Sequence, residues 1–350
     1  MSRVRVLVVD DSAFSRQTIK NMLESDESIE VVGIAPDGIN AITKTLKLKP
    51  DLITLDLEMP EMDGFSFLRW LMQQRPTPVI MVSSYADSKT VFKALELGAV
   101  DFIAKPTVRA SVELRNIEKD LLRKVHGVKS ISLNALTKAR QLHGEAAGAA
   151  GPPLPKEADI KMVAIGSSTG GPPALQVVLT ELPENFPAAI AISQHMPAGF
   201  TRSLAERLNS LCGVHVKEAE QGDAVQEGRV LLCPGGHHME FRRRGGAVKV
   251  NLRKARVDDM YVPSVDFMMG SAAEVYGSGS MGVILTGMGN DGTEGARSIA
   301  RAGGINIVES EETAVVYGMP ADVVKAGVAN KVLSLDKIAW EIMKIVASKP

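Results

Sequence analysis

Short apolar runs alternate with segments of helical periodicity along most of this 350-residue chain, and many of the runs end in charged, hydroxyl or glycine-rich residues. This alternation is typical of parallel strands joined by helices that pack on both faces of one sheet. In such sheets ligands lie beyond the carboxyl ends of the strands. We therefore predict an α/β protein with functional residues at strand ends, and the length suffices for two domains with buried cores.

The first 125 residues alternate five predicted strands with five predicted helices, which indicates a doubly wound sheet. Polar residues follow four of these strands, namely Asp10 and Asp11, then Asp56, Ser83 and Lys105. A polar residue at the end of a single strand is common. Polar residues at the ends of four of the five strands favour a functional site over a chance occurrence. Carboxylates suit a hard cation such as Mg²⁺, and Asp56 is a candidate nucleophile toward a phosphoryl group. Ser83 and Lys105 could contact the phosphoryl oxygens.

This segment resembles a response-regulator receiver domain along its whole length, which implies a flavodoxin-like fold. The resemblance implies that a partner histidine kinase phosphorylates Asp56. It also implies Mg²⁺ bound by Asp11, Asp56 and the backbone carbonyl of Glu58, within the acidic cluster that Asp10 completes. Ser83 and Phe102 match the family's hydroxyl and aromatic switch positions, with Lys105 as the third switch residue. Phosphorylation adds nearly two negative charges, enough to draw Ser83 and Lys105 inward.

The alternating pattern breaks after Val125. Residues 143–155 are rich in Ala, Gly and Pro, as expected for a linker that is at least partly extended or flexible. Before this stretch, residues 131–142 could form a short amphipathic turn. The predicted organisation is a receiver domain over 1–125, a linker over 126–158 and a second α/β domain over 159–350.

The second half opens with an apolar run that leads into Gly-Ser-Ser-Thr-Gly-Gly at 166–171. This pattern predicts a strand, a sharp turn and a helix, with Ser168 at the centre of Gly-x-Ser-x-Gly. A nucleophile on such a turn needs small neighbours, and the helix that follows offers N–H groups to an anionic intermediate. A phosphate-binding turn and a plain tight turn remain alternatives, although neither the P-loop nor the dinucleotide fingerprint is present.

A serine nucleophile needs a base and a group that orients the base. His195 follows one predicted strand, and Asp291 lies in a glycine-rich loop after another. The order Ser, His, Asp differs from the usual hydrolase order, so the ordinary α/β-hydrolase fold is doubtful. The other candidate bases are His215, His237 and His238. By position alone His237 rivals His195, and the adjacent histidine pair leaves a zinc site open.

Three motifs in this half resemble the CheB methylesterase family of bacterial chemotaxis: Gly-Ser-Ser-Thr-Gly-Gly at 166–171, Gln-His-Met-Pro at 194–197 and Thr-Gly-Met-Gly-Asn-Asp-Gly at 286–292. Both halves of the chain match that family in the same order. The resemblance implies a Rossmann-like α/β esterase that hydrolyses glutamate γ-methyl esters on chemoreceptor cytoplasmic helices and deamidates glutamines. It favours Ser168 as nucleophile, His195 as base and Asp291 as the orienting group. Thr169 and Met288 are candidates for the oxyanion hole through their backbone N–H groups.

The composition of the chain limits the classes of partner and the cellular compartment that we expect. The chain has 40 basic and 41 acidic residues, so a nucleic-acid partner is not expected. Two cysteines without metal-ligand spacing favour a reducing compartment. The N-terminus does not resemble a signal peptide, and no apolar run approaches the ~18 residues of a membrane span.

We therefore expect a cytoplasmic monomer without membrane insertion, whose partners are a histidine kinase and methyl-accepting chemoreceptors. Mg²⁺ is expected in the receiver, and no cofactor for the esterase reaction. The receiver is expected to block the esterase site until Asp56 is phosphorylated. The alternative is a response regulator whose second half binds a protein partner or a phosphate without catalysis.

Overall fold

The computed structural model describes residues 3–83, 88–105, 112–145, 154–155, 159–256 and 258–347. The chain divides into two compact units, Met1–Thr137 and Lys138–Pro350. Residues 146–153, the Ala-, Gly- and Pro-rich part of the predicted linker, lie outside the described residues. Among the described residues, no helix combines the length and the apolar character needed to cross a bilayer.

The first unit alternates strands and helices in the predicted order. Its elements are β1 Val4–Val9, α1 Ala13–Glu24, β2 Ile29–Ala35, α2 Gly38–Leu48, β3 Leu52–Asp56, α3 Gly64–Gln74, β4 Val79–Ser83, α4 Ser88–Leu97, β5 Asp101–Ala104 and α5 Val112–His126. A 3₁₀ turn, Gly127–Ser130, and α6, Leu133–Glu145, follow. Helix α6 occupies most of the segment for which only a short amphipathic turn was expected.

The five strands form a parallel sheet in the order β2-β1-β3-β4-β5. Every residue of β3 is buried, because helices cover both faces of the sheet. Three helices begin at side-chain caps, since Ser12, Asp37 and Asp63 each accept a backbone N–H three residues further on. The sheet order reverses between β1 and β3, so the carboxyl ends of these two strands border the ligand crevice.

The second unit is larger and contains a separate hairpin. Its elements are β6 Met162–Ser167, α7 Gly171–Thr180, β7 Ala189–Gln194, α8 Phe200–Leu211, β8 His215–Glu218, β9 Arg229–Leu232, β10 His237–Arg244, β11 Ala247–Lys254, α9 Val265–Tyr276, β12 Ser280–Ile284, α10 Thr293–Arg301, β13 Ile305–Glu309, α11 Met319–Lys325, β14 Lys331–Leu333 and α12 Leu335–Ala347. Seven strands form one parallel sheet in the order β14-β13-β12-β6-β7-β9-β8. Strands β10 and β11 pair antiparallel outside it.

The chain enters this sheet at its centre and extends it in both directions. Strand β7 pairs with one edge of β6, and after the hairpin β12 pairs with the other edge. Strand β6 is therefore the topological switch point, where the crevice of an open α/β sheet forms. The core beneath it packs Met239 and Phe241 of the hairpin against Met268 of α9. The prediction of two doubly wound, mostly parallel α/β domains is confirmed.

Two short elements, α11 and β14, were not predicted. Helix α11 has seven residues and β14 has three. Segments this short do not show a recognisable helical or strand periodicity of apolar residues. Strand β14 is also an edge strand, and Val332 at its centre is exposed. Its pairing with β13 is therefore set by the tertiary fold rather than by a local apolar pattern.

Candidate active site and phosphoacceptor site

The carboxyl ends of β1 and β3 bring three carboxylates together in the first unit. Oxygen atoms of Asp10, Asp11 and Asp56 all lie within 4.8 Å of one another. The ammonium group of Lys105 lies 2.5 Å from Asp56, 3.6 Å from Asp10 and 4.0 Å from Asp11. Three carboxylates facing one ammonium leave an excess of negative charge. The set fits a divalent cation that prefers oxygen ligands.

The remaining predicted receiver residues lie on, or just beyond, strands β3, β4 and β5 of the same sheet. Glu58 is exposed two residues beyond the end of β3. Phe102 is buried in β5, and the Lys124 ammonium lies 5.4 Å from the centre of its ring. Ser83 is the last residue of β4, which pairs with β3, but its side chain lies outside the described residues.

Burial, and to a smaller extent the negative charge of Asp10, together raise the pKa of Asp56 to about 6. The hydrogen bonds from Lys105 and from the Leu57 N–H act in the opposite direction without cancelling the shift. Above pH 6 the folded receiver therefore holds an ionised carboxylate at a cost in free energy.

We expect Asp56→Asn to stabilise the metal-free protein at neutral pH. The folded carboxyl binds its proton more tightly than the unfolded one, so its contribution to stability is complete below about pH 4 and is lost as the pH rises through 6. The gain from asparagine should therefore reach at most about 3 kcal/mol near pH 7.5 and disappear near pH 4. Thermal melts with a chelator would measure it, with the exposed carboxylate variant Glu27→Gln as control. A gain that is independent of pH would contradict the assignment.

In the second unit, neighbouring strand ends place Ser168 beside His195. Strands β6 and β7 pair with Ser167 opposite Gln194, so Ser168 and His195 are the next residues on adjacent parallel strands. The His195 N–H donates to the Ser167 carbonyl at 3.0 Å. Asp291 comes from the loop after β12, on the other side of β6. All three candidate catalytic residues are therefore brought to the switch point of the sheet.

The imidazole of His195 is oriented by Asp291. Its Nε2 lies 2.7 Å from Asp291 Oδ2, and both side chains are buried. Because a carboxylate only accepts, this bond assigns the proton to Nε2 and leaves a lone pair on Nδ1. Nδ1 is buried and has no hydrogen-bond partner among the described residues. A nitrogen that can act as a base is thus available on this ring.

The first turn of α9 holds the carboxylate of Asp291. The Val265 N–H donates to Oδ2 at 2.7 Å, while the Asp266 N–H and the Ser264 hydroxyl donate to Oδ1 at 3.0 and 3.1 Å. Burial by itself raises the pKa of Asp291, but the bonds from His195 and from these N–H groups outweigh burial and hold the pKa below its usual value. Asp291 is therefore an ionised acceptor at neutral pH.

Asp266 locks the loop that carries Asp291. Its Oδ1 accepts the N–H groups of Gly292 and Gly295, at 2.9 and 2.7 Å, where α10 begins. Burial and the nearby charge of Asp291 raise the pKa of Asp266 to about 6. Sequence analysis missed Ser264 and Asp266, although a serine directly before an apolar helical segment is an N-cap signal.

Gln194 connects the two strand ends that bear the serine and the histidine. Its amide donates to the Ser168 carbonyl at 2.9 Å and to the His195 carbonyl at 3.1 Å, and accepts from the Ser167 hydroxyl at 2.7 Å. Gly171 packs directly on this amide, since a Cβ there would lie 2.0 Å from Gln194 Oε1. The last glycine of the motif is thus required by close packing on Gln194.

The loop with the predicted oxyanion residue Met288 lies against the nucleophile turn. A Cβ on the preceding Gly287 would lie 2.9 Å from the Cβ of Ser168. The Thr286 carbonyl accepts the Ser168 N–H at 3.0 Å, and the Thr286 hydroxyl donates to the Thr169 carbonyl at 2.9 Å. Thr169 and Met288 therefore belong to two backbone segments that meet at Ser168.

The rival histidines have other hydrogen-bond partners or are exposed. Nε2 of His238 lies 2.8 Å from Asp259, and Nδ1 of His237 lies 3.4 Å from the Gly235 carbonyl. His215 is exposed at the start of β8. Within the described part of the chain, none of the three belongs to a cluster with metal-ligand geometry. His195 is thus the candidate that the structure pairs with Asp291.

An aromatic ring that sequence analysis missed covers one face of the imidazole. Tyr261 stacks on His195 with ring centroids 5.0 Å apart and planes 13° from parallel. The Tyr261 hydroxyl donates to Asn290, the residue before Asp291, at 3.2 Å. The stacking restricts rotation of the imidazole away from the Asp291 carboxylate.

The CheB methylesterase family matches residues 163–342, and the response regulator receiver domain matches residues 6–116. The chain belongs to the CheB methylesterase family. Similar relatives are the protein-glutamate methylesterase/protein-glutamine glutaminase 3 of Geobacter sulfurreducens, 51% identical over 98% of both chains, and its counterpart from Lawsonia intracellularis, 45% identical over 97% of this chain and 98% of the relative.

A solved structure agrees with the second unit. The methylesterase catalytic domain of Thermotoga maritima CheB is 47% identical, with a TM-score of 0.52, and the match covers 53% of this chain and 98% of that domain. The predicted family, and with it a methylesterase joined to a receiver domain, is confirmed.

Proposed function

We propose that Ser168, His195 and Asp291 form the catalytic triad of a protein-glutamate methylesterase that also deamidates protein glutamines. The observation that supports this most strongly is the 2.7 Å bond between Asp291 and Nε2 of His195. Nδ1 of the same ring has no hydrogen-bond partner among the described residues. His195 and Ser168 directly follow two paired strands, β7 and β6. The three residues can thus act as the nucleophile, the base and the orienting carboxylate of a serine hydrolase, with Nδ1 rather than Nε2 as the basic nitrogen.

In the first half of the reaction, Ser168 Oγ attacks the γ-ester carbonyl and its proton passes to Nδ1 of His195. Asp291 keeps the proton on Nε2 and stabilises the imidazolium that forms. The tetrahedral intermediate carries its charge on an oxygen that the Thr169 and Met288 N–H groups can stabilise, and one such donor is typically worth about 3 kcal/mol. Collapse of the intermediate breaks the ester bond, and Nδ1 gives its proton to the departing methanol.

In the second half, His195 takes a proton from water, which attacks the acyl-enzyme and frees a glutamate carboxylate. Nδ1 then returns the proton to Ser168. With a glutamine substrate the departing group is ammonia, and the later steps are the same. Apart from the substrate and water, this chemistry uses only side chains and backbone groups of the chain, and we propose that it needs no cofactor.

The receiver provides the control that we propose for this activity. A histidine kinase supplies the phosphoryl group to Asp56, and Mg²⁺ would be held by Asp11, Asp56 and the Glu58 carbonyl, with Asp10 completing the acidic set. The cation, when bound, neutralises charge on the incoming phosphoryl group. Lys105 is placed to contact the phosphoryl oxygens, and Ser83 and Phe102 are the proposed switch residues. The proposed boundaries are 1–125 for the receiver, 126–158 for the linker and 159–350 for the esterase.

A phosphoryl donor should raise the esterase rate of the parent protein but not of Asp56→Asn, because the amide cannot accept the phosphoryl group. Methanol release from methylated chemoreceptor, with Mg²⁺ and acetyl phosphate, would measure this. The surface variant Glu27→Gln should respond like the parent. Equal stimulation of the Asp56→Asn protein would remove Asp56 from the account.

The proposed substrate is a methylated glutamate side chain on a cytoplasmic helix of a chemoreceptor. This substrate and the kinase that phosphorylates the receiver place the enzyme in the cytoplasm. We propose that it acts as a monomer, because each residue of the proposed triad comes from the same chain.

A further inference from the structure

A second histidine–aspartate pair, with a buried imidazole and a partly exposed carboxylate, lies behind the carboxylate of Asp291. His238, in β10, has no exposed surface, and its Nε2 lies 2.8 Å from Asp259 Oδ2. Its Nδ1 accepts the backbone N–H of Ser264 at 3.1 Å. Only a nitrogen lone pair can accept from an N–H, so this ring carries its proton on Nε2 and donates it to Asp259.

The group that His238 binds is the N-cap of α9. The Ser264 hydroxyl donates to Asp291 Oδ1 at 3.1 Å, and the N–H groups of the next two residues, Val265 and Asp266, bind the same carboxylate. Ser264 is almost fully buried, so its own N–H would lack a partner if the imidazole were removed. A continuous series of hydrogen bonds thus runs from Asp259 through His238 and Ser264 to Asp291, and from there to His195.

We propose that His238 is a positioning residue for the esterase reaction, which holds the start of α9 in the place where it aligns Asp291 with His195. This inference rests on the proposed catalytic role of Asp291. Among the described residues, His238 hydrogen-bonds to Asp259 and to Ser264 rather than to Ser168 or His195, so its effect passes through the Ser264 backbone. Its loss should therefore lower kcat, which depends on the alignment of Asp291, and leave KM for the receptor unchanged.

The discriminating variants are His238→Leu, which has no acceptor, and His238→Asn, whose amide oxygen can take the place of Nδ1. We expect kcat for methanol release to fall roughly tenfold in the leucine variant and to recover largely in the asparagine variant. The matched control is His237→Leu, which changes the adjacent histidine, and it should keep the kcat of the parent. An unchanged kcat in His238→Leu would overturn the proposal, as would an equal loss in His238→Asn.

A double-mutant cycle separates positioning from a general structural effect. In an Asp291→Asn background, His238→Leu should cause no further loss of kcat, because the carboxylate that it aligns is already gone. A further tenfold loss would show that His238 acts independently of Asp291 and would overturn the inference. If Asp291→Asn itself keeps the parental rate, the proposed triad fails, and the cycle reports that failure separately.

A variant at the partly exposed end of this series of hydrogen bonds tests the proposal even if changes at the buried His238 prevent folding. Asp259 is partly exposed, and Asp259→Ala removes the acceptor that fixes the His238 proton on Nε2. Thermal melts should show a folded protein, and kcat should fall severalfold with KM unchanged. A folded Asp259→Ala protein with parental kcat would contradict the proposed series of hydrogen bonds.

Discussion

Ser168→Ala should lower kcat for methanol release from methylated chemoreceptor on the order of 10⁵-fold while the protein stays folded. The loss is this large because the hydroxyl forms the covalent intermediate, and the rest of the site then acts only on an unactivated water. The turn is held by backbone groups, since the Ser168 N–H and carbonyl are both hydrogen-bonded within the site. The thermal unfolding midpoint should therefore change little.

Ser210→Ala is a matched control for this experiment, since it removes an exposed hydroxyl from the end of α8. It should retain the parental rate. Methanol release from Ser168→Ala within tenfold of the parent would exclude a covalent serine mechanism. Release at the parental rate would favour a non-catalytic binding role for the second unit.

Asp291→Asn should lower kcat by about 10⁴-fold, because the neutral amide cannot stabilise the imidazolium and no longer fixes the proton on Nε2 of His195. The start of α9 adds to the loss. It directs two N–H groups and one hydroxyl at this side chain, and an amide offers only one acceptor oxygen to them and to the imidazole. The NH₂ group of asparagine would face one of these donors, and two donors cannot form a hydrogen bond with each other.

Asp266→Asn provides the comparison, since it makes the same chemical change on the neighbouring acidic side chain. Both N–H groups bound by Asp266 contact one oxygen, Oδ1, which asparagine retains. We expect a loss of no more than about threefold, because one hydrogen-bonding pattern replaces an equivalent one. Similar losses in both variants, measured as kcat and as unfolding midpoint, would mean that Asp291 serves the fold rather than the reaction.

The sequence allowed the fold and the location of both sites to be predicted for the same physical reason. Parallel strands buried on both faces give continuous apolar runs, and their ends stand out as abrupt changes to polar residues or glycine. Asp10, Asp56 and Ser168 all follow such runs. Strand order was not needed to predict that these residues would gather at sheet edges, because parallel strands share a carboxyl edge.

The contacts that orient the site could not be predicted in this way. His195 and His237 both follow strands, and only the folded chain distinguishes them, by bringing Asp291 to one and not to the other. Gln194 lies inside one of the motifs, but its role depends on the Ser168 carbonyl at the end of the neighbouring strand. Tyr261 and His238 reach the site from segments far along the chain. Periodicity reports which face of an element is buried and contains no information on which distant residue it meets.

The central claim is that Nδ1 of His195 activates the hydroxyl of Ser168, and covalent labelling with a serine-directed phosphonate tests it most directly. Intact-protein and peptide mass spectrometry should find one adduct, on Ser168 of the parent, and a labelling rate reduced by orders of magnitude in His195→Ala. His237→Ala should label like the parent. Equal labelling of Ser168 in the parent and in His195→Ala, or an adduct on another serine, would contradict the account.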